Sequence, residues 1–156
     1  MSTTYIGVAQ SLCQYLASIP ALGLTEGANL FAGLMPDDPD ELVAVFERPG
    51  RPPMLTMTGP AGTTGTAQAT STLDQPLVQF RVRAGMGDYA AANTLMEQVW
   101  GAVESVANTE LPGGGLFFLL LHASGSPLFL GQDTRQRPEF SLNVGCMLQN
   151  TQRIPE

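Results

Sequence analysis

The chain has no lysine, one histidine (His122) and two cysteines (Cys13 and Cys146) among its 156 residues. Its seven cations are all arginine, namely Arg48, Arg51, Arg81, Arg83, Arg135, Arg137 and Arg153, and they face fourteen carboxylates, for a formal net charge of −7. A nucleic-acid-binding domain replaces phosphate counterions with a basic patch, so this balance argues against that class. Two cysteines cannot make a disulfide framework and point to a reducing compartment. The longest uninterrupted apolar run, Leu116 to Leu121, is six residues, whereas a membrane-spanning helix takes about 20. A soluble chain with no membrane partner is expected. No basic stretch precedes Arg48, so no secretory leader is expected either. Only 13% of residues are charged. A monomer normally covers its exterior with charge, so part of this surface is expected to meet other protein.

What is present reads as one α+β domain over residues 1–148 with a polar tail at 149–156. Ser2, Thr3 and Thr4 offer hydroxyls to cap a helix starting near Tyr5. Tyr5, Val8, Leu12, Leu16 and Ile19 form its apolar face, and Pro20 closes it. Asn29 to Leu34 reads as a short strand with Leu30, Ala32 and Leu34 on one face. The acidic turn Met35-Pro36-Asp37-Asp38-Pro39-Asp40 leads into a second strand, Leu42 to Glu47, which Pro49-Gly50-Arg51-Pro52-Pro53 ends. Residues 54–75 carry little but small and polar side chains and no period, which predicts a mobile inserted loop.

Leu77 to Arg83 is the clearest strand, with Val78, Phe80 and Val82 on one face and Gln79, Arg81 and Arg83 on the other. Asp88 is placed to cap a helix whose buried stripe is Ala92, Leu95, Met96, Val99, Val103 and Val106. Leu116 to Leu121 is apolar throughout and suits a strand covered on both faces. Leu128 to Leu130 extends, and Glu139 to Leu148 alternates with Phe140, Leu142, Val144, Cys146 and Leu148 inward. The expected architecture is a mostly antiparallel mixed sheet packed by two helices, in the order α-β-β-(loop)-β-α-β-β-β.

Few residues suggest catalysis. Gly85-Met86-Gly87-Asp88-Tyr89-Ala90 matches the G-x-G-x-x-A form of a dinucleotide turn. However, Asp88 puts a negative charge where phosphate would sit, and no acidic residue follows on a second parallel strand. Asp37, Asp38, Asp40 and Glu41 have the oxygens for calcium but not the spacing of a calcium loop. His122 lacks a nucleophile-elbow pattern around Ser124 and Ser126. Cys13 and Cys146 fit as small core residues. No cofactor or metal is therefore expected. Arg81 with Arg83, and Arg135 with Arg137, could make bidentate ion pairs to a neighbouring subunit. The candidate interface set is Asp37, Asp38, Asp40, Arg81, Arg83, Asp88, Arg135 and Arg137.

Three segments in order carry a resemblance. They are Met35 to Asp40 with Val43-Ala44-Val45-Phe46-Glu47, then Val78 to Gly85 leading into Asp88-Tyr89-Ala90-Ala91-Ala92, and lastly Pro127 to Asp133 with Arg137 to Val144. Over roughly residues 5–146 the chain resembles the minor capsid or tail terminator (tail completion, head–tail joining) proteins of long non-contractile-tailed phages, the siphoviruses. It departs from them in a longer stretch at 54–75 and in Gly87, which intervenes before Asp88. The resemblance implies a non-enzymatic virion protein at the tail–neck junction, assembled in the bacterial cytoplasm. It would form a ring, typically of six copies, that caps the tail tube protein and joins the neck or connector protein of the head. DNA would pass through the acidic lumen without specific binding. The alternatives are a head-closure or adaptor protein of the neck, or a small nucleotide-binding enzyme using the Gly85 turn.

Overall fold

The computed structural model describes residues 5–55, 72–111 and 116–150. In chain order the elements are α1 (Val8–Ala17), β1 (Leu30–Ala32), β2 (Leu42–Leu55), β3 (Thr72–Arg83), α2 (Tyr89–Glu104), β4 (Ala107–Glu110), β5 (Leu116–Ala123), β6 (Leu128–Gln132) and β7 (Pro138–Asn150), with a 3-10 turn at Pro20–Leu22. The strands form one sheet in the order β1-β2-β3-β7-β5-β4, with β6 also paired to β7. β6 pairs with the start of β7 and β5 with its later residues, so the two follow one another along the side of β7 away from β3. The β1–β2 pair is parallel and every other pair antiparallel. The expected α+β class and mostly antiparallel mixed sheet are what the chain adopts.

Alternation sorts the side chains into two layers. In the central strands Val43, Val45, Val78, Phe80, Val82, Phe140, Leu142 and Val144 share one core cluster with Leu12 and Leu16 of α1 and Met96 and Val99 of α2. Both helices therefore cover the same face. Burying each such side chain contributes about 1.5–3 kcal/mol. Tyr15 ties the helices together by donating its hydroxyl to the Ala102 carbonyl at 2.9 Å. The opposite face carries no helix among the described residues. Its central rows, read across β2, β3 and β7, are Leu42–Arg83–Glu139, Ala44–Arg81–Ser141, Phe46–Gln79–Asn143 and Arg48–Leu77–Gly145.

Several expectations need correction. α1 starts at Val8, not near Tyr5, and Gly7 at its N-cap has no side chain to cap with. Glu47 reaches over from β2 instead, its Oε1 accepting the Ala9 N–H at 3.1 Å, and a Cβ on Gly7 would crowd that oxygen. Ala32 and Leu34 are exposed while Leu30 is buried, so β1 presents no inward row of three.

The Pro49–Pro53 stretch does not end β2. It is crossed by register shifts between Arg48 and Arg51 and between Arg51 and Met54, after which pairing with β3 resumes at Met54↔Leu73 and Leu55↔Thr72. Gly50 makes this possible. A Cβ there would collide with backbone atoms of Gln75, Pro76 and Leu77. The expected loop at 54–75 thus loses both ends to the sheet, and its remainder, 56–71, lies outside the described residues.

β4 follows α2 where only a loop was expected, and Glu110 ends it. β5 is not covered on both faces. Leu116, Phe118 and Leu121 are buried, whereas Phe117 and Leu120 face outward. The alternation in β7 holds, with Phe140, Leu142, Val144, Cys146 and Leu148 all buried.

Candidate functional site

The acidic turn and three of the arginines meet in one cluster at the end of the sheet. Arg83, the last residue of β3, points away from the helices and is only 3% exposed. Its Nε donates to the Asp40 carbonyl (3.0 Å), and its NH2 group donates to the carbonyls of Pro36 (2.7 Å), Asp37 (3.1 Å) and Pro39 (2.7 Å). One guanidinium thereby fixes the backbone of the whole turn before β2. Burial lowers its pKa from the ordinary arginine value.

Arg137, in the turn between β6 and β7, is equally buried. It donates to the Asp37 carboxylate (2.8 Å), the Asp37 carbonyl (2.6 Å), the Asp40 carboxylate (3.1 Å) and the Asp133 carboxylate (2.8 Å). Asp133 Oδ1 also accepts the backbone N–H groups of Arg135 and Arg137, which closes the β6–β7 turn. Burial opposes the charge on Arg137, but the hydrogen bonds from Asp37, Asp133 and Asp40 outweigh it and raise its pKa. In turn, the bond from Arg137 lowers the pKa of Asp37.

Arg135 completes the cluster from its outer side, 3.0 Å from Asp37 Oδ2 and 3.9 Å from Asp38 Oδ1. Arg83 and Arg137 are therefore spent inside the chain. Asp38 (88% of its side chain accessible), Asp37, Asp40 and Arg135 still face solvent. Sequence reasoning picked out both partners of this cluster but did not join them, because about a hundred residues separate Asp37 from Arg137.

The remaining candidates fall elsewhere. At the glycine turn, Gly87 takes φ +71, and the Asp88 carboxylate accepts the Ala91 N–H at 3.1 Å, so the α2 N-terminus is capped by the chain itself. β3 also lies antiparallel to both its neighbours, unlike a dinucleotide-binding strand. The His122 Nδ1 lies 3.8 Å from Glu104 Oε2, and Ser124 donates to the Asn143 carbonyl rather than to the imidazole. Glu104 accepts the Ala123 N–H and the Trp100 indole N–H. The Ala123 bond is the main reason its pKa falls below the ordinary carboxylate value. Cys13 and Cys146 are buried, and burial pushes both thiols up to about 12. Neither is a thiolate at neutral pH. Among the described residues no group of His, Cys, Asp and Glu is gathered to hold a metal.

The helix-free face holds what sequence reasoning missed. Leu77, Leu120 and Met147 line an open cleft of about 330 Å³ with Pro49, Arg51 and Pro76. Leu120 is 49% exposed and Met147 38%. Along the same face Arg48 donates to Gln79 Oε1 (2.9 Å), and Gln79 donates to Asn143 Oδ1 (3.3 Å). Arg81 has a buried Nε with no hydrogen-bond partner. At the β6 edge Leu128, Phe129 and Leu130 are all exposed, and Phe129 stacks with Tyr89 and Phe140 at centroid distances of 5.2 Å each. The signal available in the sequence was the run Leu116–Leu121, whose outward half no helix among the described residues covers.

The described residues thus make a two-layer α+β domain whose acidic turn is clamped by its own arginines and whose helices lie on one sheet face. A family model described as bacteriophage tail terminator protein matches residues 10–150, and the chain belongs to that family. It is thus a structural protein of the phage tail. No curated protein matches it. No helix among the described residues is long and apolar enough to cross a membrane.

Proposed function

We propose that the chain closes the finished tail tube as a ring, six copies by the family resemblance, and provides the surface on which the head docks. The family match over residues 10–150 carries this reading. A closed ring needs two different patches on each copy, one for each neighbour. The bare sheet face and the exposed β6 edge supply apolar surface that a lone monomer would not leave open. The work is assembly, without catalysis, at the tail–neck junction of the virion, between the tail tube protein and a neck protein of the head. With a net charge of −7 per copy, an acidic lumen lets DNA pass without adhering.

In this reading Asp37, Asp38, Asp40 and Arg135 present an outward charged rim to a neighbouring subunit, alongside Arg81 and Asp88. Arg83 and Arg137 act behind them as positioning residues. Electron microscopy of the protein mixed with purified tail tubes tests the proposal. Rings at one end of the tubes, and heads that join only capped tubes, are the expected result. Tubes that stay uncapped while the protein binds isolated heads would assign it to the neck instead.

A further inference from the structure

Around the cleft of the helix-free face the unpaired charge is basic; the carboxylates Glu139 and Glu110 belong to that face as well, but lie away from the cleft, in register with Arg83 and Phe117. Arg48, Arg51 and Arg81 stand on or beside the helix-free face, and no carboxylate of the described residues lies within ion-pair distance of any of them. The helix side is the reverse. α1 carries no charged residue at all, and α2 carries only Glu97 and Glu104. Glu41 lines a second open cleft there with Ala90, Thr94 and Gln98 of α2. Neither Glu41 nor Glu97 has a cationic partner among the described residues, and both are exposed.

We propose that in the ring the helix-free sheet face of one copy receives the α2 side of the next copy, Arg48 and Arg51 meeting Glu41 and Glu97 around an apolar centre of Leu77, Leu120 and Met147. This rests on the ring reading above and says which two patches make it. Opposite charge on the two faces favours this arrangement, and stacking two sheet faces on each other sets arginine-bearing surfaces together. The proposed contact is also heterologous, so it propagates from copy to copy until a ring closes, whereas a face-to-face pair stops at two. The apolar centre supplies the burial, and the arginines supply orientation and partner choice.

The test uses the full chain with Gln98→Cys and Met147→Cys together, treated with a short bismaleimide in the presence of tail tubes. The natural thiols stay silent because both are buried and protonated. The expected result is a ladder of covalent oligomers that ends at the ring size. Each single cysteine variant should give no ladder. Adding Arg48→Glu and Arg51→Glu should reduce the ladder by tenfold or more, Glu41→Arg with Glu97→Arg should do the same, and combining all four reversals should restore it.

A strong dimer from Met147→Cys alone, or a ladder indifferent to the charge reversals, overturns the proposal. Tube capping is scored in the same samples. Capped tubes without a ladder sink this contact and leave the terminator reading standing. A ladder without capped tubes does the opposite, and the absence of both removes both.

Discussion

The helix-free face has two ends, and arginine does opposite things at them. At the β3 terminus Arg83 and, beside it, Arg137 are almost wholly buried and held by several hydrogen bonds within the chain. One row further along the same face Arg81 leaves its Nε unbonded, and three rows along Arg48 has, among the described residues, one hydrogen bond to an exposed amide. The residue type and the alternation are the same. What differs is supply: the turn 36–40 folds back over one end with four carbonyls and two carboxylates, and nothing among the described residues does so at the other. An arginine on a sheet face is thus a clamp where the chain brings acceptors to it and an open contact where it does not.

The largest expected effect comes from breaking the clamp. Arg137→Leu takes the guanidinium partner from Asp133 Oδ2 and one of two donors from the Asp37 carbonyl. Losing a buried charge partner costs about 3 kcal/mol, roughly 6–12 °C in Tm for a chain of this size. Arg137→Lys should recover only part, since a point charge cannot serve Asp37, Asp40 and Asp133 together. Equal melting temperatures for the Leu and wild-type chains would show that the cluster is ornamental.

The next effect acts on the other end. Gly50→Ala forces a Cβ into the backbone of Gln75, Pro76 and Leu77, which cannot give way as a flexible side chain would. A cost of about 1–3 kcal/mol is expected, read as a lower urea midpoint. The displaced β2 bulge should also weaken self-association by moving Arg48 and Arg51.

These two ends were unequally legible in the sequence. Period-two alternation named the inward residues of β3 and β7, and an aspartate after a glycine turn named the capping role of Asp88, because each is a local pattern. The clamp was visible only as two separate lists, an acidic turn and an arginine pair, since nothing local says that residues 37 and 137 meet. The β2 bulge misled because proline and glycine mark a strand end as readily as a shift within it, and only the close passage of Gln75–Leu77 past Gly50 separates the two. β5 misled in another way. A run of six apolar residues looks the same whether a second layer of the same chain or another subunit covers its outer face, so the bare surface was legible only once the helices were seen to lie on one side.

Acid should loosen the clamp before it touches the open end. Asp37 is held below its ordinary value of 3.8, first by the bond from Arg137. Asp133 is lowered too, burial pulling upward but its bonds to Arg137 and Arg135 prevailing. A carboxylate depressed in the folded state binds fewer protons there than in the unfolded chain. Its stabilisation is therefore complete above the ordinary value and fades as pH falls through the lower folded one. Urea midpoints should drop below about pH 4, and Asp37→Asn should flatten that limb while lowering the neutral-pH midpoint less than Arg137→Leu does. An unchanged acid limb in the Asn variant would mean that other carboxylates govern it.

The smallest effect on stability sharpens the comparison most. Arg48→Ala and Arg51→Ala remove side chains with no ion pair among the described residues, and Arg48 gives up one exposed bond to Gln79. Substitutions of this kind stay within about 0.5 kcal/mol. The isolated chain should melt as wild type does while its assembly on tubes declines, because the same guanidinium that is idle in the monomer is proposed to find its carboxylate on the next copy. If either variant instead costs as much as Arg137→Leu, the open end is a second internal clamp, and the division between spent and unspent arginines disappears.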